Sequence, residues 1–323
     1  MSEPQQGLSY VELLALARAA GAAGFEAFFR SDHYLSFPGG SGRPTTDAWA
    51  TLAGLARETE GIRLGTLVSP VTFRLPGPFA KLVATVDEMS GGRIEAGLGA
   101  GWNAAEHAAH GIPFPPLGER YDRLEETLAI VHGLWTEPDG WAFAGRFGEV
   151  EGALFRPNPA TPARRHPHLI VGGDGKPRGL RLAATYADEY NISSVGPERA
   201  GEVRLALAAA CAAVGRDPAE VAFSAMVGVL VGADVAELAE RTRAVLAATG
   251  AASDPAAAEA WLEARRGRWI IGSPDEAVER IAAFAEAGVE RIMLQDFLPW
   301  DLDQVALLGR EILPRAARRL ATA

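Results

Sequence analysis

Two stretches hold residue types that could do chemistry. Asp32-His33-Tyr34 sets a carboxylate beside an imidazole where a strand-like run, residues 25–31, gives way to the loop Pro38-Gly-Gly-Ser-Gly-Arg-Pro44. Imidazole titrates near neutrality, so it can give or take a proton while another bond is made or broken. The blander alternative is a histidine that only satisfies loop backbone. The second stretch, Arg93-Ile-Glu-Ala-Gly-Leu-Gly-Ala-Gly-Trp-Asn103, begins as a strand and breaks into glycines. Ile94, Ala96 and Leu98 read as inward-facing, whereas Gly97, Gly99 and Gly101 let something approach the backbone closely. A ligand is the expected occupant of that space.

Gly99, Gly101 and Ala104 also fit the dinucleotide spacing G-x-G-x-x-G/A, and Glu119 lies within about 20 residues of it. That fingerprint should open a helix leading to the next parallel strand. Here Gly111-Ile-Pro-Phe-Pro-Pro116 intervenes, then a helix, and no buried strand follows until near His168, so the fingerprint is rejected. His107 and His110 invite a metal reading, but no third ligand stands at a fixed spacing, and no metal is expected. Gly172-Gly173-Asp174-Gly175 runs into a helix start, where N–H groups face an anion and Lys176 and Arg178 supply charge. A tight turn with solvated cations is the plainer account. Trp49, Trp102, Trp135 and Trp141 are candidates to line a pocket, with core packing the plainer account of any one of them, and Cys211, in an alanine-rich helical run, reads as a buried, inert thiol.

These residues need a frame, and the pattern supplies one. Residues 10–23 carry Val11, Leu14, Ala17 and Leu13, Leu16, Ala20 at helical spacing behind the N-cap pair Ser9 and Glu12. Helices follow at residues 47–58, from Pro78 to the stop at Gly91, and at 118–135, with strands at 25–31, 62–70 and from 93 onward. Residues 136–166 form an irregular excursion with short hairpin-like pieces. Strands resume at 168–173, 189–194, 221–232 and 291–297, separated by helices, one opened by the capping box Ser273-Pro-Asp-Glu276. Seven strands alternating with helices predict an α/β fold with a parallel sheet, and at 323 residues a (β/α)8 TIM barrel with insertions. A single domain over residues 1–323 is expected, interrupted at about 136–166 and 250–268. The first barrel strand is missing or truncated, because residues 1–8 offer almost no apolar material; a start set some residues late, or a barrel with a gap, would leave this pattern.

Composition narrows the function classes. A 48% hydrophobic content with 22% charged residues describes a large core rather than disorder. Lysine plus arginine is 31 against 41 acids, a net charge of −10, which argues against nucleic acid or anionic lipid as the main partner. One cysteine suits a reducing, cytoplasmic setting, and the lack of an apolar run of about 18 residues predicts neither export nor a membrane span.

The blocks Arg30-Ser-Asp-His-Tyr34, Arg63-Leu-Gly-Thr-Leu-Val-Ser-Pro-Val-Thr-Phe-Arg74, Ser90-Gly-Gly-Arg93, Gly97-Leu-Gly-Ala-Gly-Trp-Asn103, Gly111-Ile-Pro-Phe-Pro-Pro-Leu-Gly-Glu-Arg-Tyr-Asp122 and Ile170-Val-Gly-Gly173 stand in one order. Together they resemble the luciferase-like monooxygenase superfamily, within it the oxidoreductases that use the deazaflavin coenzyme F420. The resemblance implies a (β/α)8 barrel with the cofactor across its C-terminal mouth, a small-molecule substrate and a homodimer. It implies His33 beside the reactive face of the deazaflavin as proton donor or acceptor, oriented by Asp32. Leu67, Val68 and Ser69 match the bulge, often a cis peptide, that carries the ring. Gly101, Trp102 and Asn103 match the part that hydrogen-bonds ring and side arm. Gly172, Gly173, Asp174 and Gly175 match the phosphate site, with Asn191, Ser193 and Ser194 as further donors. An FMN-dependent monooxygenase of the same superfamily is the alternative, and the Asp-His pair, in place of Glu-His, favours F420. A barrel that binds cofactor without turnover is the third reading.

Overall fold

The computed structural model describes residues 1–2, 7–36, 42–160, 166–250 and 255–321. Its strands are β1 (Ala27–Arg30), β2 (Arg63–Pro70), β3 (Ile94–Gly99), β4 (Trp141–Ala144), β5 (Glu149–Ala153), β6 (His168–Gly173), β7 (Glu189–Ser193), β8 (Ala222–Val231), β9 (Ile270–Gly272) and β10 (Arg291–Asp296). All except β4 and β5 pair in parallel, in the order β1-β2-β3-β6-β7-β8-β10, with β9 on the far half of β8. The seven strands expected from the sequence are all present. All but β10, where only Met293 and Asp296 are buried, are buried on both faces, as helices wrapped around a parallel sheet require.

Closure of the ring comes from an unexpected place. The Met1 amine donates to the Leu294 carbonyl at 2.7 Å and the Asp296 N–H donates to Met1 at 3.1 Å, while Ser2 exchanges bonds of 2.9 and 3.2 Å with Phe29 and Ser31. Met1 and Ser2 therefore stand between β10 and β1 as a two-residue strand, completing the (β/α)8 barrel that the sequence led us to expect with its first strand missing or truncated. Residues 3–6, and the middle of the loop after β1, lie outside the described residues.

The helices begin where local chemistry says they should. Ser9 with Glu12 and Ser273 with Glu276 each form a complete capping box, and Gly91 ends its helix in the left-handed region at φ 71°. That helix, Pro76–Ser90, starts two residues earlier than expected, because Pro76 already occupies the first turn, where a missing N–H costs nothing. The first excursion is an antiparallel hairpin of β4 and β5 outside the barrel. In the second, the helix Pro255–Arg266 leads into β9, a strand too short to leave a periodic signature; Leu262 and Trp269 pack there against Leu230 of β8.

The barrel floor holds a closed charge network. Arg291, at the start of β10, bonds Glu95 of β3 at 2.6 and 3.0 Å and Glu189 of β7 at 3.2 Å; Arg63 reaches Glu95 at 2.5 Å, and His168 Nε2 lies 2.8 Å from Glu189. Glu95, His168 and Glu189 bring ligand atoms within 4.8 Å of one another, a metal-like grouping, but both carboxylates are already matched by arginine. Burial alone would raise the Glu189 carboxyl; the His168 hydrogen bond and the Arg291 charge outweigh it and hold it below its usual value. Its contribution to stability is thus present above the unfolded carboxylate pKa and fades as pH falls through the lowered one. Arg291→Met, which leaves Glu95 to Arg63 alone and Glu189 to His168 alone, should cost about 2–4 kcal/mol at pH 7. In urea unfolding the deficit should narrow toward pH 5, as Glu189, stripped of the Arg291 charge, takes up a proton; a deficit independent of pH would refute this account of the floor.

Candidate active site

At the other end of the strands a cavity of about 550 Å³ opens among the C-terminal ends of β1, β2, β3, β6 and β7. That is where barrel enzymes keep their chemistry. His33, Leu67, Val68, Gly101, Trp102, Gly172, Gly173, Asp174, Asn191 and Ser193 all line it, so one wall collects residues drawn from five separate parts of the chain. Four other residues named from the sequence, Asp32, Ser69, Asn103 and Gly175, stand behind that wall and support it.

His33 is buried, and its Nδ1 lies 2.8 Å from Glu106 Oε2. The same carboxylate accepts the N–H groups of Tyr34 and, at 3.1 Å, Leu35. Burial would push the Glu106 carboxyl up, but the His33 bond and charge and these backbone donors hold it below the usual range, so it is ionised at neutral pH. An ionised carboxylate accepts, which assigns the proton to Nδ1 and the exchangeable position to Nε2. Asp32, the partner expected for His33, is instead fully buried against Ser69 Oγ at 2.6 Å and the Arg74 guanidinium at 2.5 Å. Arg74 continues to Asp47 and the Tyr34 hydroxyl, and Ser69 accepts from Trp49 Nε1 at 2.9 Å. The reason is strand alternation: adjacent residues leaving β1 point to opposite sides, so Asp32 faces the wall and His33 the cavity. Asp32 clamps the loop and Glu106 orients the imidazole.

Glu106 was missed by sequence reading, although a signal existed. Asn103 accepts from the Glu106 N–H at 3.4 Å and caps the helix Ala104–Ala109, so Asn-x-x-Glu is an N-cap followed by an acid in the first turn. Asn103 is committed to that cap. His107 is likewise engaged through both ring nitrogens, by Thr72 at 2.6 Å and the Asn103 carbonyl at 2.7 Å. His110 Nδ1 lies 3.0 Å from the Glu106 carbonyl.

The glycines make room for protein rather than for ligand. The Leu67–Val68 peptide is cis, and the β2–β3 register shifts between Thr66 and Ser69. The Val68 side chain lies over β3 and β6. A Cβ on Gly97, Gly99 or Gly172 would stand 2.9, 2.7 or 2.8 Å from its methyl groups. Gly101 and Gly175 require glycine for their backbone, at φ 78° and 79°. Val68, bedded on three glycines, is therefore a raised apolar platform in the cavity.

Positive charge enters from the side. Lys176 lines the cavity but is held 2.7 Å from Asp174, and Arg178, expected to serve an anion, is spent on Asp122 and Glu125. Gly175 donates its N–H to the Tyr190 hydroxyl at 2.9 Å. The cation that sequence reading overlooked is Arg120. It is buried, lies 3.9 Å over the Phe114 ring, donates to the Pro115 carbonyl at 2.5 Å and leaves Nε without a partner. No carboxylate pairs with it among the described residues, and burial pushes its pKa down. A desolvated guanidinium without a counter-ion is costly, and the cost is recovered when a ligand brings the anion.

The chain matches the luciferase-like monooxygenase family over residues 1–291, and it belongs to that family. It is 33% identical over 331 residues, 96% of this chain and 94% of the relative, to the F420-dependent glucose-6-phosphate dehydrogenase of Microbacterium testaceum. An FMNH(2)-dependent dimethylsulfone monooxygenase of Pseudomonas putida is 29% identical, with 93% and 86% of the two chains covered. In fold it is similar to an F420-dependent secondary alcohol dehydrogenase solved with an F420-acetone adduct, at TM-score 0.78 and 19% identity over 96% of each chain.

The platform makes its own forecast. Gly172→Ala should destabilise by about 1–3 kcal/mol through the clash with Val68. Val68→Ala in the same molecule should restore at least about 0.5 kcal/mol of that in a double-mutant cycle. Strict additivity of the two changes would show that the glycine serves something else.

Proposed function

We propose that the protein is an F420-dependent oxidoreductase moving a hydride between a deazaflavin and a small organic substrate. The observation that carries this is a single cavity holding an imidazole backed by an ionised carboxylate, an apolar platform on the cis bulge, and a buried arginine lacking an anion. The site fits such a cofactor: Val68 and Leu67 would support the flat ring, and Arg120 with the Gly172-Gly173 turn would hold the phosphate of its side arm. When bound, the deazaflavin supplies the hydride acceptor or donor at its C5 position. In alcohol oxidation, His33 Nε2 takes the hydroxyl proton as the C–H bond gives up its electron pair; in the reverse direction it returns the proton to the carbonyl oxygen. Glu106 keeps the imidazole in the tautomer that can do this and stabilises the imidazolium formed. Asp32, through Arg74 and Ser69, keeps the loop in place.

The FMN-dependent monooxygenase reading draws on the Pseudomonas relative and is separated by titration. Saturable quenching of F420 fluorescence, with no FMN retained through purification, supports our reading; a protein that carries FMN and ignores F420 overturns it. His33→Ala should lower kcat by about 10²–10⁴ with little change in F420 affinity. Glu106→Gln should lower kcat less while also sparing binding. Loss of F420 affinity in both variants, with unchanged turnover at saturation, would remove these residues from proton transfer.

A further inference from the structure

Arg120 is buried and has no carboxylate beside it among the described residues, so something else must steady its charge before a ligand arrives. Its guanidinium carbon lies 3.9 Å from the centre of the Phe114 ring. A ring face attracts a cation without consuming an N–H donor, as a carboxylate partner would. Nε–H is accordingly unspent, while Nη1 donates to the Pro115 carbonyl.

Phe114 is itself firmly seated. Pro113, Pro115 and Pro116 restrict the backbone around it, and its ring centre lies 4.5 Å from that of His107. The Asn103 carbonyl facing His107 Nδ1 can only accept, so Nδ1 carries a proton, and in the neutral ring Nε2 accepts from the Thr72 hydroxyl at 2.6 Å. Pinned at both nitrogens, the imidazole offers a fixed surface. Phe73 lies 5.1 Å from it, and Tyr34 stacks on Phe73 at 4.7 Å. Four rings thus run from the residue after His33 to Arg120. Glu106 and His107 are consecutive on the helix Ala104–Ala109; the first orients the His33 imidazole and the second seats Phe114.

We propose that Phe114 is a positioning residue for anion recognition: its ring, seated on His107, presents the Arg120 guanidinium to the phosphate of the cofactor. The inference rests on the F420 reading above and extends it to a side chain behind the lining of the cavity. A ring that only filled space there could be exchanged for another apolar side chain without cost to anion binding. A ring that holds a desolvated cation could not.

The test titrates the full-length protein, by quenching of deazaflavin fluorescence, with F420 and with the same deazaflavin lacking its side-arm phosphate. Phe114→Leu keeps an apolar side chain and loses the ring face. Its affinity for F420 should fall about 3- to 30-fold, the range of a cation–π contact, with affinity for the phosphate-free compound within about twofold of wild type. Phe114→Tyr retains the ring face and should bind both compounds as wild type does. Arg120→Met should lose about 10- to 100-fold for F420, the weight of a charge-assisted hydrogen bond, and adding Phe114→Leu to it should cost nothing further. Phe114→Met, equally without a ring face, takes the place of the leucine variant if that one does not fold. Unchanged F420 affinity without the ring, equal losses for the two deazaflavins, or additive losses in the double variant would each overturn the proposal. Failure of wild type to bind F420 would instead remove the reading beneath it, and FMN against riboflavin would then put the same question to Phe114.

Discussion

The carboxylate of Glu106 is the constraint on which the site depends. It sits on the first turn of a short helix after β3, yet it accepts two N–H groups and the imidazole from the loop after β1. A buried anion satisfied in this way cannot move without exposing several unpaired groups at once, so it locks two loops that only the barrel brings together. The same bond assigns the imidazole tautomer. Orientation of the loop and orientation of the ring are thus one interaction rather than two.

The two ends of the barrel use charge in contrasting ways. On the floor, Glu95 and Glu189 each meet an arginine or histidine, and the network ties β2, β3, β6, β7 and β10 together. At the mouth, Arg120 is left unmatched and the carboxylate beside His33 is held ionised. A protein tolerates such imbalance where a ligand corrects it, which is why the unmatched groups, and not the numerous surface ion pairs, mark the functional end. Val68 provides the remaining feature, a hydrophobic rise that shapes the cavity without contributing charge.

Much of this was legible in the chain. Alternating strand and helix signals gave the parallel sheet, because burial on both faces leaves continuous apolar runs and capping residues mark each helix start. His33, Leu67, Val68, Gly172 and Asn191 were legible as cavity residues because strand ends in such a barrel converge by construction. Other features left no local trace. β9 is only three residues long, and Met1 and Ser2 became a strand only by filling the gap between β10 and β1.

What the sequence determined by itself, then, was the order of elements and the set of side chains delivered to the barrel mouth, since periodicity and capping act over a few residues. Tertiary structure alone decided the partnerships. Asp32 and Glu106 exchanged the roles adjacency suggested, because a strand end turns neighbouring residues to opposite sides and brings a residue 73 positions away into contact. The glycines of β3 and β6 proved to accommodate Val68 rather than a ligand, and Arg120, unremarkable in the chain, stood out only once burial and the absence of a counter-ion could be seen together. Contacts between distant residues are fixed by packing, and no local pattern encodes them.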